Sequence, residues 1–367
     1  MRRPRESKPK ALRGSEWHSG NEENSKKPED EKNKITISVI IPSNHPHSDL
    51  IKIVLKISEQ SVTPNEIIII DSSADRGKCP EEIKTKVHEL GIDLLYLPEE
   101  ISYPGRARNL GVAQAKTEFI AFLDVKTHPT PNWLKQAISL RNDPNLFGIW
   151  GLTNFKATTR FEKLARDGFF GITPRRTLPG TIIRKSTLSQ VGRFIEWVRA
   201  GEDTDWIRRV DLQKLNFNSP SSATIDYTGL IGQRPTALAK KWWRNYTASR
   251  ALPHLFPQKF LIWLLFYPTL IALAFNWNNL VADWETESIF YIPNVTKMSV
   301  LIPAVMYFAG RGLYIPYRRK VPYLELLPFR WIAIAVACLL GDAAKTIAML
   351  SLSPNRRNDR RNSKFRA

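Results

Sequence analysis

The chain has 367 residues, enough for two domains, with only two cysteines and a formal charge of +19. Cys79 and Cys338 lie in different regions, one of them inside an apolar run, which excludes both a disulfide framework and a cysteine-built metal site. The basic balance suits nucleic acid, an anionic membrane or a phosphorylated substrate. Membrane-length apolar segments beside a basic tail favour lipid headgroups and argue against nucleic acid as a partner.

Residues 1–34 are rich in Lys, Glu, Asn, Ser and Pro, with no apolar core, and read as a disordered tail. From 35 to 41 Ile, Val and Thr dominate and Pro42 closes a first strand. Residues 49–58 place Leu50, Ile53, Val54 and Ile57 at helical spacing. A second strand over 67–70 delivers Asp71 to its carboxyl end. A helix over 81–90, a strand over 94–97, a turn feeding a helix over 104–115 and a strand over 118–123 follow, the last ending on Asp124. Near-continuous apolar strands alternating with helices predict an α/β fold, with a mostly parallel sheet covered on both faces. Pro129 and Pro131 delay the next helix to 133–140. Residues 150–180 are expected to be irregular apart from an amphipathic helix over 161–170 on the acceptor side, and 205–215 reads as a helix opened by acidic residues.

Three apolar segments follow, near 260–281, 298–317 and 331–352. The first lacks charge, the second carries Arg311, and the third carries Asp342 and Lys345 on one helical face, a costly pair at mid-depth. An acidic loop at Asp283, Glu285 and Glu287 and a basic one at Arg318, Arg319 and Lys320 orient the first two segments with the former loop outside. Three full spans would export the basic tail 354–367. Two spans plus an interfacial or re-entrant third helix fit the charge rule better, and keep the preceding domain on the cytoplasmic face. The expected organisation is thus a tail (1–34), an α/β domain (35–250), a membrane region (251–353) and a basic cytoplasmic tail (354–367).

Candidate chemistry gathers where strands end, since open α/β sheets bind ligands at their carboxyl edge. Pro42, Ser43 and Asp71 occupy such loops, and an Asp there can accept hydrogen bonds from a ribose or base. On its own, an Asp in that place is more often a helix cap or turn former. Arg106, Arg108 and Asn109 stand near a helix start, where a guanidinium can fork onto phosphate, although isolated basic residues usually form a solvated face. Glu202 and Asp203 follow Gly201, and a helix cap is the commoner use of such acids.

Taken together, 38–43 (SVIIPS), 66–71 (EIIIID), Ala107-Arg108-Asn109-Leu110-Gly111, the strand ending on Asp124 with Pro129, Pro131, Trp133 and Leu134 beyond it, and Gly201-Glu202-Asp203 resemble a family 2 glycosyltransferase of the GT-A fold. The resemblance covers roughly 35–250. It implies a Rossmann-like domain in which Pro42, Ser43, Asp71, Arg106, Arg108, Asn109, Asp124 and Lys126 bind a nucleoside diphosphate sugar, UDP-sugar first among them. It further implies that Asp203, beside Glu202, is the base that deprotonates an acceptor hydroxyl for displacement with inversion. Glu202 would raise the pKa of Asp203 by like-charge repulsion. The family pattern Asp-x-Asp, which holds Mg²⁺ or Mn²⁺, here reads Asp124-Val125-Lys126. Three readings stay open: a weak metal site at Asp124, with His128 as a candidate second ligand; the Lys126 ammonium in the metal's place; or lost catalysis. The Gln-x-x-Arg-Trp run of processive relatives is missing beside Gln233-Arg234-Pro235. Lys241-Trp242-Trp243-Arg244-Asn245-Tyr246 reads as an interfacial belt, from which Arg244 can also reach a diphosphate. The function expected is membrane-anchored transfer of a sugar to a lipid or lipid-linked acceptor. The alternative is a catalytically silent nucleotide-sugar-binding scaffold.

Overall fold

The computed structural model describes residues 35–229, 234–249, 252, 254, 268–269, 272–280 and 285–351. Both expected tails, half of the first expected span, Gln233 and Asp283 lie outside the described residues. The chain divides into two units, residues 35–156 with 174–229, and residues 157–173 with those from 234 on.

The first unit is built on one mixed sheet. Its parallel half comprises β1 (Ile37–Ser43), β2 (Glu66–Asp71), β3 (Asp93–Pro98) and β4 (Phe119–Phe122), in the order β3-β2-β1-β4. Every residue of β2 is buried, and all but one of β1. The strand period of two explains this: Ile37, Val39, Ile41, Ile67 and Ile69 enter one core, whereas Ile40, Ile68 and Ile70 enter another on the opposite face. The first core is closed by the helices His47–Ser58 and Glu81–Glu89 through Leu50, Ile53, Val54, Ile57, Ile83 and Val87. The second is closed by Pro104–Gln114 and Glu202–Leu212 through Ala107, Val112, Trp206 and Val210. Gly111 lets the former helix approach the sheet, because a Cβ there would run into the side chain of Ile40.

The sheet continues beyond β4 differently from expectation. Instead of an irregular stretch over 150–180, β6 (Gly148–Phe155) and β7 (Arg175–Arg184) form a long antiparallel pair, and β7 joins the sheet antiparallel to β4. Short strands β5 (Thr127–Pro129), β8 (Phe217–Asn218) and β9 (Ile225–Tyr227) complete it, β5 pairing antiparallel with β9 and both β8 and β9 running parallel to β6. Gly148, Gly151, Pro179 and Gly180 erase the strand signal in sequence and mark a register shift in the structure. A side chain at Gly151 would strike the backbone of Pro179 and Gly180. The fully buried Trp133 seals the same place, its indole Nε1 donating to the Gly180 carbonyl at 2.7 Å.

The second unit is helical. Helix Arg160–Phe169, expected within the α/β domain, belongs here and begins with a reciprocal capping box between Thr159 and Glu162. Its Asp167 is fully buried between Arg166 and Arg330. Gly168 lies against Cys338, and Phe169 packs with Leu326 and Ile334 in one apolar cluster. Among the described residues two helices are long and apolar enough to cross a membrane, Val295–Arg318 with 24 residues and Arg330–Leu350 with 21. They match the second and third expected segments. Asp342 is paired not only with Lys345 (3.1 Å) but also with Arg311 (2.8 Å), and it accepts a hydrogen bond from Tyr307 at 3.1 Å.

The seal at Trp133 sets an expectation for stability. Trp133→Ala removes a fully buried indole and its hydrogen bond, and should cost about 3–5 kcal/mol. The loss would be read from denaturant unfolding of the full chain in detergent, followed by circular dichroism.

Candidate active site

The parallel strands bring the ends of β1, β2 and β4 to one edge. Ser43 and Asp71 are register partners at the ends of β1 and β2. Asp124 follows β4, and the carbonyl of Asp124 accepts from the amide (3.0 Å) and hydroxyl (2.5 Å) of Thr127, which fixes the turn carrying Lys126.

At the centre is Arg108. Its Nη2 donates to Asp124 Oδ1 at 3.0 Å and its Nη1 to Glu202 Oε1 at 2.8 Å. The guanidinium is only 4% exposed. Burial alone would lower its pKa, but Asp124 and Glu202, with Asp203 nearby, push it above its ordinary value. Arg108, expected at a phosphate, directs its fork at two carboxylates, one from the turn after β4 and one from the start of helix Glu202–Leu212. Asn109 is likewise turned inward. Its side chain holds the backbone of Phe194, amide to Oδ1 at 3.0 Å and Nδ2 to carbonyl at 2.8 Å, and donates to Glu196.

Glu202 differs from Asp203 beside it. Glu202 is 4% exposed, and its Oε2 is buried with no hydrogen-bond partner. Burial first, then the charge of Asp203, push its carboxyl up to about 7 despite the ion pair with Arg108. The like-charge effect expected of this pair therefore appears on Glu202, because it is the more buried of the two. Asp203 is partly exposed, and its Oδ1 accepts from the amide of Thr204 at 2.7 Å.

Asp71 was expected to meet a ribose or base, yet it is fully buried and both its oxygens have partners within the chain. Oδ1 accepts from the Ser73 amide at 2.9 Å, while Oδ2 meets Tyr96 Oη at 2.6 Å, His47 Nε2 at 3.0 Å and Ser73 Oγ at 3.1 Å. Ser43 is buried as well, and its carbonyl anchors the amide of Ser72 at 2.9 Å, next to the half-buried Pro42. Arg106 stays partly exposed, 3.6 Å from Glu99. Arg244 is on an exposed part of helix Pro235–Ser249 in the helical unit.

Two residues with no motif belong to this edge. His45, in the loop after β1, is held below its ordinary value of 6.5 by burial and by Lys126. Tyr227, on β9, is pushed above its ordinary value by burial, then by Asp124 and Asp203. Neither lies in a run that sequence alone singles out, since β9 has only three residues.

The donor set does not fit a divalent cation held by the protein. Asp124 already has one oxygen on Arg108, and a cation stands two residues on. His128 Nε2 is engaged by Thr228 Oγ1 at 3.1 Å. Among the described residues no group of three or more His, Cys, Asp or Glu is placed to hold a metal. His128, expected as a candidate ligand, stands on β5, and Thr228 lies just beyond β9, the strand paired with it.

Residues 38–194 match the model of glycosyl transferase family 2. Over this stretch the chain is similar to family 2 glycosyltransferases. Over 185 residues it is 27% identical to a pre-mycofactocin glycosyltransferase of Mycobacterium tuberculosis, covering 46% of this chain and 37% of that protein. Over 186 residues it is 23% identical to glycosyltransferase AglE of Haloferax volcanii, covering 47% and 60%. The matched stretch is thus less than two thirds of either relative. Among solved structures, the mannosyltransferase PcManGT of Pyrobaculum calidifontis, in complex with GDP-Man and Mn²⁺, aligns with a TM-score of 0.48 at 14% identity, over 86% of this chain and 87% of that one. The match to the family 2 domain includes Arg108 and Asp124 and ends before Glu202.

Two outcomes follow from the triad. Arg108→Met leaves two carboxylates without their shared cation and should destabilise the fold by about 3–5 kcal/mol. Glu202 binds a proton more tightly in the folded chain than its ordinary value of 4.5 allows, so the stability linked to that proton is full below 4.5 and is lost as pH rises through about 7. Glu202→Gln, neutral throughout, should flatten that decline, and melting temperatures of both proteins measured across this window would show it.

Proposed function

We propose that the chain is a membrane-anchored, inverting glycosyltransferase that moves a sugar from a nucleoside diphosphate sugar to a lipid or lipid-linked acceptor on the cytoplasmic face. The observation that carries this reading is the Asp124–Arg108–Glu202 triad at the strand edge, with the partly exposed Asp203 beside it, Arg108 and Asp124 lying within the stretch that matches family 2. A general base must come within hydrogen-bond reach of the acceptor hydroxyl. Asp203 has that access, and the buried Glu202 does not.

In this mechanism the acceptor oxygen forms a bond to the anomeric carbon while its proton passes to the Asp203 carboxylate. The bond from that carbon to the diphosphate oxygen breaks, and its electron pair leaves with the nucleoside diphosphate. Inversion follows from in-line attack on the face opposite the leaving group. Arg108 holds Asp124 and Glu202 in place, and Lys126 supplies positive charge to the departing diphosphate, the task a metal performs elsewhere. The apolar helices Val295–Arg318 and Arg330–Leu350 support membrane anchoring and a hydrophobic acceptor. The silent-scaffold alternative has nothing in its favour beyond Lys126 itself.

The test is calorimetric titration of the detergent-purified chain with nucleoside diphosphates and their sugars, UDP forms first, with Mn²⁺ and then with chelator. Binding should survive chelation and be lost in Lys126→Ala. Failure of every nucleotide under both conditions would sink the reading. Once an acceptor is in hand, Asp203→Asn should lower turnover by about 10²–10⁴-fold with donor binding retained.

A further inference from the structure

The helical unit contains a groove that the proposed chemistry does not use. Helix Val295–Ala309 runs into a single π-helical turn, Gly310–Tyr314, before resuming as Ile315–Arg318. Such turns are rare and concentrate at functional sites. Gly312 in this turn packs against the backbone of Trp331, whereas a Cβ on Gly310 would meet nothing within 4 Å. The open side is a cavity of about 630 Å³, lined by Ala309, Gly310, Leu313, Tyr314, Tyr317 and Tyr323. Its size is typical of sites for small ligands, ~300–1,000 Å³. At Tyr317 and Tyr323 it adjoins a second cavity of about 500 Å³, lined also by Arg318 and Lys320.

The mouth of this groove carries basic side chains that the neighbouring ion pairs do not use. Arg311, Arg330 and Lys345 are each paired with an acid. Arg318 and Lys320 are exposed and have no acidic partner among the described residues. They stand at the end of a helix long enough to span a bilayer, where aromatic and basic side chains meet headgroups. Tyr314, Tyr317 and Tyr323 are each at least half exposed there.

We propose that this groove binds the lipid carrier of the acceptor: a single apolar chain along the Gly310 side, and a doubly charged phosphate headgroup at Arg318 and Lys320. Two unpaired cations match the two charges of a phosphate monoester or a lipid-linked diphosphate, not the one charge of a bulk phosphodiester headgroup. The assignment rests on the transferase reading for its meaning, but lipid binding itself can be measured apart from transfer.

The experiment uses the full chain in phosphatidylcholine nanodiscs, titrated with a polyprenyl monophosphate and followed by native mass spectrometry. The uncharged polyprenol should bind at least about tenfold more weakly, and so should polyprenyl monophosphate to the Arg318→Ala, Lys320→Ala double variant. Gly310→Leu fills the groove from a position with room for a side chain. It should abolish binding while leaving circular dichroism and melting unchanged. Phosphatidylglycerol at equal mole fraction should not compete. Equal binding by both variants, equal binding of polyprenol, or displacement by phosphatidylglycerol would overturn the proposal. Nucleoside diphosphate binding is titrated on the same samples. Its loss in the unaltered chain, with lipid binding intact, would count against the transferase reading and not against the groove.

Discussion

One buried guanidinium holds the candidate site together. Arg108 bonds to Asp124, 16 residues away, and to Glu202, 94 residues away. It thereby fixes the turn after a central parallel strand to the start of a neighbouring helix that packs on the same face of the sheet. Burying a cation is costly unless it is paired and hydrogen-bonded, and here two carboxylates meet that condition. The arrangement has a second effect. Burial and the neighbouring charge of Asp203 outweigh the ion pair with Arg108, so the Glu202 carboxyl is pushed up to about 7.

The parallel half of the fold was legible from sequence because strands buried on both faces must be apolar at every position. Residues 66–71 announce this plainly. The antiparallel half was not, since β6 and β7 place glycine and proline where backbones approach and shift register. In the site, the sequence indicated which residues gather at the strand edge but not what each one touches. Asp124 and Lys126 follow β4 at that edge, and Arg108 joins Asp124 to Glu202 there. Arg108, Asn109 and Asp71 carry the right chemistry for a ligand and spend it internally. Residue type determines what a side chain can bond to; the partner is set by contacts 16 to 94 residues distant. His45 and Tyr227 escaped notice for the opposite reason, being brought in only by tertiary pairing.

A similar lesson holds in the helical unit. Spacing alone suggested that Asp342 and Lys345 would neutralise each other on one turn. The structure adds Arg311 and Tyr307 to Asp342, and sets the Lys345 ammonium 4.1 Å from the ring centre of Trp242 and 4.3 Å from that of Phe169. Cations over aromatic faces are stabilised by the ring quadrupole. A charge cluster that looks expensive as a pair is thus distributed over six side chains, two of them acting through aromatic rings.

The path of the chain between β6 and β7 has a practical meaning for anyone seeking a soluble catalytic fragment. The polypeptide leaves the sheet unit at Lys156, contributes helix Arg160–Phe169 to the helical unit, and returns at Pro174. Between Lys156 and residue 234 the backbone therefore passes from one unit to the other three times. Cutting after residue 229 would strand that helix, leaving Asp167 without Arg330 and Phe169 without Leu326 and Ile334. Such a fragment would expose an apolar face and a formerly buried carboxylate in its middle. A workable excision must also remove 157–173 and rejoin β6 to β7 by a short turn, as an antiparallel pair allows.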